Sequence, residues 1–103
     1  MGELRGVGGG AVSDLWCQIH ADVMNRPIHR IEQPLMATVR GAALFAGVSL
    51  GLIGEGDIAS SVPVERVFRP DPETRRIYDG VYAEFVKLHK IEAKMYSRLA
   101  KLR

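Results

Sequence analysis

At 103 residues with 47% hydrophobic content, we expect the chain to form at most one small domain that is globular rather than disordered. The formal net charge of +2 is too small to indicate a nucleic-acid partner for the chain as a whole. A single cysteine, Cys17, excludes an internal disulfide framework and favours the reducing cytoplasm. The N-terminal residues contain no apolar run typical of a secretory signal.

A run of small residues, Gly8 to Ala11, stands between two apolar segments. Residues 4–7 before it predict a short strand, and residues 14–24 after it predict a helix capped by Ser13 or Asp14. Strand, glycine turn and helix together direct backbone N–H groups and a positive dipole end toward a phosphate. A plain tight turn between a strand and its packing helix is the alternative.

The first helix has one apolar face, because Leu15, Ile19 and Val23 recur at i, i+4 and i+8. It is predicted to end before Pro27, since the residue before a proline avoids the α region. Residues 27–32 then predict a short strand or an extended link.

Residues 35–52 predict a long helix that is apolar on nearly all sides and therefore buried. Ala43, Gly47 and Gly51 form a row of small residues, which indicates close approach of a neighbouring element, because helical glycine costs about 1 kcal/mol relative to alanine. The uncharged residues 41–54 are too few to span a bilayer, which takes about 20 apolar residues. We expect no membrane partner.

Asp57 is predicted to cap a short segment at residues 58–62, and residues 63–70, with a proline at each end, predict an edge strand or an extended arm. Asp71 and Pro72 then open the last helix as N-cap and first helical residue. Its apolar stripe consists of Ile77, Tyr78, Val81, Tyr82, Phe85, Leu88 and Ile91. The basic residues past Phe85 favour a solvated face rather than a nucleic-acid helix, which would interleave aromatics with the bases.

The residue types that carry catalysis are poorly placed. His20, His29 and His89 have no Cys or His partner at zinc-ligand spacing, so we expect no metal site. Cys17 lies within the first helix without a neighbouring base, which predicts packing rather than nucleophilic catalysis. We therefore assign no catalytic residue from the sequence.

Two phosphate-binding interpretations of the glycine turn compete. In the first, Gly6, Gly8 and Ala11 fit the spacing of a dinucleotide fingerprint, and Glu32 lies about 20 residues further on, where the ribose carboxylate belongs. However, the chain does not continue as alternating strands and helices.

The second interpretation comes from an ordered string of residues. The string consists of Gly8-Gly9-Gly10-Ala11, Ser13-Asp14-Leu15-Trp16, Gln18-Ile19, Ala21-Asp22-Val23, Pro27, Glu32 and Gly41-Ala42-Ala43 with Ala46. It resembles the C-terminal part of the FGGY carbohydrate kinases and is most similar to the xylulokinase branch. Phe68, Pro70 and Pro72 followed by Tyr78 and Tyr82 resemble the closing segment of the same family.

The resemblance implies an α/β fold, the C-terminal portion of an actin-like (ribonuclease H-like) ATPase domain, helix-rich with few short strands. Such kinases transfer the γ-phosphate of ATP, with Mg²⁺ in the full-length family, to a hydroxyl of a pentulose or polyol. The implied nucleotide-binding residues are Gly8, Gly9, Gly10 and Ala11 at the phosphates and ribose, and Ser13 and Asp14 on the adenine side. The Gly41-Ala42-Ala43 helix is implied to pack behind the turn.

Two departures from the family limit this expectation. Arg40 stands before Gly41 where an apolar residue is usual. The family's N-terminal domain, with the sugar pocket and the catalytic aspartate, is absent from these residues, and phosphoryl transfer needs several such parts together.

We therefore expect a nucleotide-side fragment that is inactive alone, with ATP or ADP as ligand and a sugar bound only with the other lobe. Residues 1–92 are predicted to form the partial kinase domain, and residues 93–103 a basic C-terminal helix extension or tail. The alternatives are a non-catalytic assembly module, including a homo-oligomer, and a truncated dinucleotide-binding unit.

Overall fold

The computed structural model describes residues 3–102 and divides into two compact units, one ending at Asp71 and one beginning at Pro72. The first unit contains strands β1 (Leu4–Gly6), β2 (Ile28–Ile31) and β3 (Val64–Phe68) and helices α1 (Asp14–Met24) and α2 (Ala37–Ser49). Three 3₁₀ turns lie at Gly9–Val12, Pro34–Met36 and Glu55–Asp57. The second unit consists of helix α3, Pro72–Ala100.

The three strands form one sheet in the order β1-β2-β3. Strands β1 and β2 are parallel, with Leu4 opposite Ile28, and α1 provides the crossover that a parallel pair requires. Strand β3 is antiparallel to β2, with Phe68 opposite Ile28. The prediction of an edge strand before Pro70 is confirmed, and β2 is the central strand.

A small core lies between α1 and the sheet, formed by Ala11, Cys17, Ala21, Ile28 and Phe68 with Leu4 packed against it. The expected interior position of Cys17 is thus confirmed.

The predicted apolar face of α1 is not the face that packs on the sheet, since Leu15 is 71% exposed and Val23 is 49% exposed. The small side chains of Cys17 and Ala21 face the sheet instead, because they allow the helix to lie close to the strands.

Both ends of α1 have capping residues. The Ser13 hydroxyl accepts a hydrogen bond from the Trp16 backbone N–H at 3.2 Å, which confirms the predicted N-cap. At the other end Asn25 adopts a left-handed conformation with φ of 50°, and its N–H donates to the carbonyls of Ala21 and Asp22.

The prediction of a buried helix at residues 35–52 is wrong in two respects. The α-helical part is shorter, since residues 34–36 form a 3₁₀ turn and Gly51 adopts a left-handed turn with φ of +69°. No residue of α2 is buried, and Phe45 is 75% exposed, so the described residues of the first unit leave this apolar face open. The assembly role considered for this helix stays a prediction.

The segment after α2 differs from the sequence-based expectation. Residues 58–62, the short segment that Asp57 is predicted to cap, form turns, and the Asp57 carboxylate accepts a hydrogen bond from the Gly54 N–H at 2.9 Å. Helix α3 begins directly after Asp71, as predicted, and passes through residue 92 without a break. The proposed domain boundary at that residue stays a prediction. Among residues 3–102, no helix has the length and apolarity needed to cross a membrane.

The central strand provides a stability prediction. Ile31 is 2% exposed, so Ile31→Val should lower the free energy of unfolding by about 1 kcal/mol. Leu50→Ala removes more atoms but from a side chain that is 74% exposed, so it should change stability by less than about 0.5 kcal/mol. Urea denaturation followed by the fluorescence of Trp16, the single tryptophan, measures both changes. Equal effects would contradict the assigned burial.

Candidate functional site

The glycine turn between β1 and α1 is held at Gly8. This residue has φ of +80° and ψ of −172°, a conformation that is accessible almost only to glycine. Its N–H donates to the Pro34 carbonyl at 2.8 Å, and its carbonyl accepts from the Ala11 N–H at 3.1 Å. The turn is thereby tied to the segment that follows β2.

The next two glycines have different surroundings. A Cβ atom on Gly9 would meet no atom within 4 Å, whereas one on Gly10 would lie 3.0 Å from Cδ1 of Trp16. Both N–H groups belong to the first residues of the Gly9–Val12 turn, where backbone donors have no partner within the helix. At Gly9 the turn therefore presents bare main chain, that is, backbone that no neighbouring atom covers on the side where a Cβ would lie. At Gly10 the missing side chain leaves room for the Trp16 indole.

The other predicted site residues are engaged within the chain. Ala11 is buried, and its carbonyl accepts from the Cys17 thiol at 3.4 Å. The Ser13 hydroxyl caps α1. Both carboxylate oxygens of Asp14 pair with guanidinium groups at 2.5 Å, one with Arg30 and the other with Arg66. The structure thus brings all six predicted residues into one turn and helix N-terminus.

Arg30 is a residue of this region that the sequence reasoning missed. Its side chain is 10% exposed, and its guanidinium joins the turn, α1 and β3 through the carbonyl of Ala11, the carboxylate of Asp14 and the carboxylate of Glu65. A signal was present, because an arginine two residues from Ile28 shares its face of a strand and requires a carboxylate partner when buried.

Arg30 and Asp14 shift each other's pKa values. The hydrogen bond from Arg30 lowers the pKa of the Asp14 carboxyl, with burial opposing the shift and the charge of Arg66 adding to it. The same hydrogen bond to Asp14 raises the pKa of Arg30. Asp14 is therefore a carboxylate at neutral pH and Arg30 a guanidinium cation.

Gln18 and Asp22, two members of the resemblance string, hold the segment between β3 and α3 against α1. The buried Asp22 carboxylate accepts from the Gln18 amide at 2.9 Å and from the Asp71 backbone N–H at 2.7 Å. The Gln18 amide also donates to the Arg69 carbonyl at 2.7 Å. Their roles in this structure are thus to position the chain.

Two grooves flank the turn. One, of about 320 Å³, lies between β1 and α1 and is lined mainly by apolar residues, with Gly10 and Trp16 on its wall. The other, of about 620 Å³, includes Arg30, Glu32 and Glu65.

Glu32 directly follows β2, as the dinucleotide alternative requires, whereas Gly6 is packed, since a Cβ there would lie 3.2 Å from Ile28. That alternative stays a prediction. Arg40, the departure from the family pattern, donates to the Glu32 carbonyl at 3.0 Å and so ties α2 to the end of β2.

Comparison with known proteins places these features in context. Residues 2–50 match the model described as FGGY family of carbohydrate kinases, C-terminal domain. A xylulose kinase of Staphylococcus epidermidis is 33% identical over 95 residues, covering 87% of this chain and 18% of its own length. An autoinducer-2 kinase of Enterobacter sp. is 41% identical over 78 residues, covering 72% of this chain and 14% of its own length. The chain thus spans less than a fifth of these curated relatives.

Solved structures agree on the fold. A xylulose kinase from Rhodospirillum rubrum matches with a TM-score of 0.69 and 30% identity, covering 89% of this chain and 19% of that protein. One from Lactobacillus acidophilus matches with a TM-score of 0.77 and 23% identity, covering 92% of this chain and 19% of that protein. These likenesses confirm the predicted fold class, the C-terminal portion of an actin-like ATPase domain with few short strands.

The Asp14 pairing generates a pH prediction. Because the pKa of Asp14 is lowered in the folded state, its ion pairs stabilise the fold above the ordinary aspartate pKa of about 3.9, and this contribution disappears as the pH falls through the lowered value. Asp14→Asn should therefore unfold at lower urea than the parent chain at pH 7, and the difference should shrink below about pH 4. Glu55→Gln, an exposed carboxylate elsewhere in the first unit, is the control. A difference that is constant with pH would refute the ion-pair assignment.

Proposed function

Since the chain belongs to the C-terminal domain of the FGGY family of carbohydrate kinases, we propose that it forms the nucleotide-binding side of an ATP-dependent sugar kinase. The relatives include kinases of xylulose, ribulose and glycerol, so the proposed substrate class is a pentulose or polyol. The reaction would move the γ-phosphate of ATP to a hydroxyl of that substrate. The residues that choose the sugar are expected on the rest of the kinase.

The observation that carries the proposal is the bare main chain at Gly9. Its N–H stands at the start of a turn, and a side chain at this position would point into open space. Phosphate oxygens are well suited to such a surface, because they accept hydrogen bonds from unpartnered backbone donors and are favoured near a helix N-terminus. We assign Gly8, Gly9 and Gly10 to the phosphates and ribose.

The charges beside the turn are compatible with an anionic ligand. An isolated Asp14 carboxylate would repel the phosphates of ATP. Here Asp14 and Glu65 are paired with Arg30 and Arg66, so the two carboxylates and two guanidiniums sum to zero charge. In the proposed arrangement Ser13 and Asp14 lie on the adenine side and Ala11 holds the turn in place.

The chain's own residues are proposed to bind and orient the nucleotide. Among residues 3–102 no group of three His, Cys, Asp or Glu side chains could hold a metal ion. We propose no Mg²⁺ ligand and no proton-transfer residue on this chain. The catalytic base and the sugar pocket are expected on the N-terminal domain of the family.

The glycine turn provides a direct binding test. We expect ATP to shift the backbone amide resonances of residues 8–14 in ¹H–¹⁵N NMR spectra, with weak affinity on the order of 1 mM for half of a site. Gly9→Ala should weaken binding about tenfold, because a methyl group would occupy the space that a phosphate must enter. Gly56→Ala is the matched control, since a Cβ there also meets no atom within 4 Å and the residue lies outside the turn.

Either of two results would contradict the proposal. The first is that ATP at about ten times the expected dissociation constant leaves the amide resonances of residues 8–14 unshifted. Alternatively, Gly9→Ala and Gly56→Ala could bind ATP equally well. NAD⁺ added in place of ATP tests the dinucleotide alternative, which would gain support if NAD⁺ shifted the same resonances and Glu32→Ala abolished that shift.

The proposed function also predicts that the chain has no kinase activity by itself. The 103-residue chain mixed with ATP, Mg²⁺ and D-xylulose should release no ADP above the rate of a blank without protein, because positioning of both substrates and a base are needed together. A coupled ADP assay measures this rate. ATP-dependent phosphorylation of xylulose or glycerol by the purified chain would overturn the assignment of a nucleotide-side fragment.

A further inference from the structure

Arg30 contacts the end of the glycine turn from one side and β3 from the other. Its Nε donates to Glu65 at 3.1 Å. Its Nη1 points the opposite way, toward the Asp14 carboxylate at 2.5 Å and the carbonyls of Ala11 and Val12 at 3.4 and 3.5 Å. A single planar guanidinium thus connects the sheet with the last two residues of the turn.

The sheet register makes Asp14 necessary to this arrangement. Arg30 on β2 stands directly opposite Arg66 on β3, and like charges in opposing positions repel each other. The Asp14 carboxylate bridges the two guanidiniums, one oxygen to each, and the Phe68 ring lies 5.2 Å from the first and 4.7 Å from the second. The cluster therefore links α1 and the turn to the strands through Arg30, Arg66 and Asp14.

The glycine turn depends on such anchors because glycine has the largest conformational freedom of any residue. The hydrogen bond from Gly8 to Pro34 fixes the beginning of the turn. Arg30 holds its end, because its guanidinium donates to the carbonyls of Ala11 and Val12 at 3.4 and 3.5 Å. Gly9, which presents the bare main chain, lies between these two anchors.

We infer that Arg30 is a positioning residue for the nucleotide site: it holds the glycine turn in the shape that receives phosphate, without touching the ligand itself. This inference rests on the proposed function. Arg30 acts through Asp14 and through the carbonyls of Ala11 and Val12.

The decisive variant is Arg30→Lys, which keeps the positive charge but replaces a planar fork by a single ammonium group that cannot reach β3 and the turn together. Ile31→Val is the matched control, because Ile31 is the next residue of β2, is buried, and makes no hydrogen bond to the turn. Two measurements are made on each protein: ¹⁵N relaxation order parameters of residues 9–12 without ligand, and ATP affinity from amide shifts.

The expected result is a lower order parameter at residues 9–12 and a three- to tenfold loss of ATP affinity in Arg30→Lys. Ile31→Val should lower stability while leaving both readouts at the level of the parent chain. If Arg30→Lys does not fold, Asp14→Asn is measured instead, and the order parameters of residues 9–12 should fall because the charged bridge is lost.

The inference is overturned if the turn stays as rigid in Arg30→Lys as in the parent, or if Ile31→Val loosens the turn and weakens ATP to the same extent. An unshifted spectrum of the parent chain with ATP would refute the proposed function and, with it, the nucleotide part of the inference. The order parameters would still decide whether Arg30 holds the turn.

Discussion

The structure depends on one ion pair, between the buried Arg30 and the first residue of α1, Asp14. A buried guanidinium is costly unless its donors are satisfied, and here carboxylates and main-chain carbonyls satisfy them. Because the acceptors come from the turn, from α1 and from β3, satisfying one cation fixes the relative positions of three segments. The apolar core next to it is small, and this polar contact links the turn, α1 and β3 beside that core.

The part of the fold that the sequence could predict is the part encoded by local signals. The sequence predicts that Ser13 or Asp14 caps α1, that the helix ends before Pro27, and that residues 63–70 form an edge strand or an extended arm. The structure shows Ser13 as the cap, Met24 as the last residue of α1 and β3 at the edge of the sheet. Each depends on the backbone chemistry of one or two neighbouring residues. The candidate turn was found for the same reason, since its signal is a short run of small residues.

The predictions that failed concern which face of a helix is covered. In α1 the periodicity predicts an apolar face through Leu15, yet Cys17 and Ala21 are the residues that pack on the sheet. In α2, which is predicted to be buried, Phe45 is exposed. Periodicity shows that a face is apolar but does not show which partner covers it or how closely the backbone approaches. Arg30 was missed on similar grounds, because its acceptors are 16 residues away at Asp14 and 35 residues away at Glu65. Pairings over such distances are set by the topology of the sheet.

The glycine run also shows how a motif separates into distinct physical requirements once the backbone is known. Gly8 is required by its left-handed φ, Gly10 by the indole of Trp16, and Gly9 by neither, since a Cβ there would meet nothing within the chain. At Gly9 a ligand can therefore approach the main chain without meeting a side chain. Gly9 is therefore the position at which a substitution tests the proposed nucleotide site by itself, whereas substitutions at Gly8 or Gly10 would mix the loss of a ligand contact with a change in the fold.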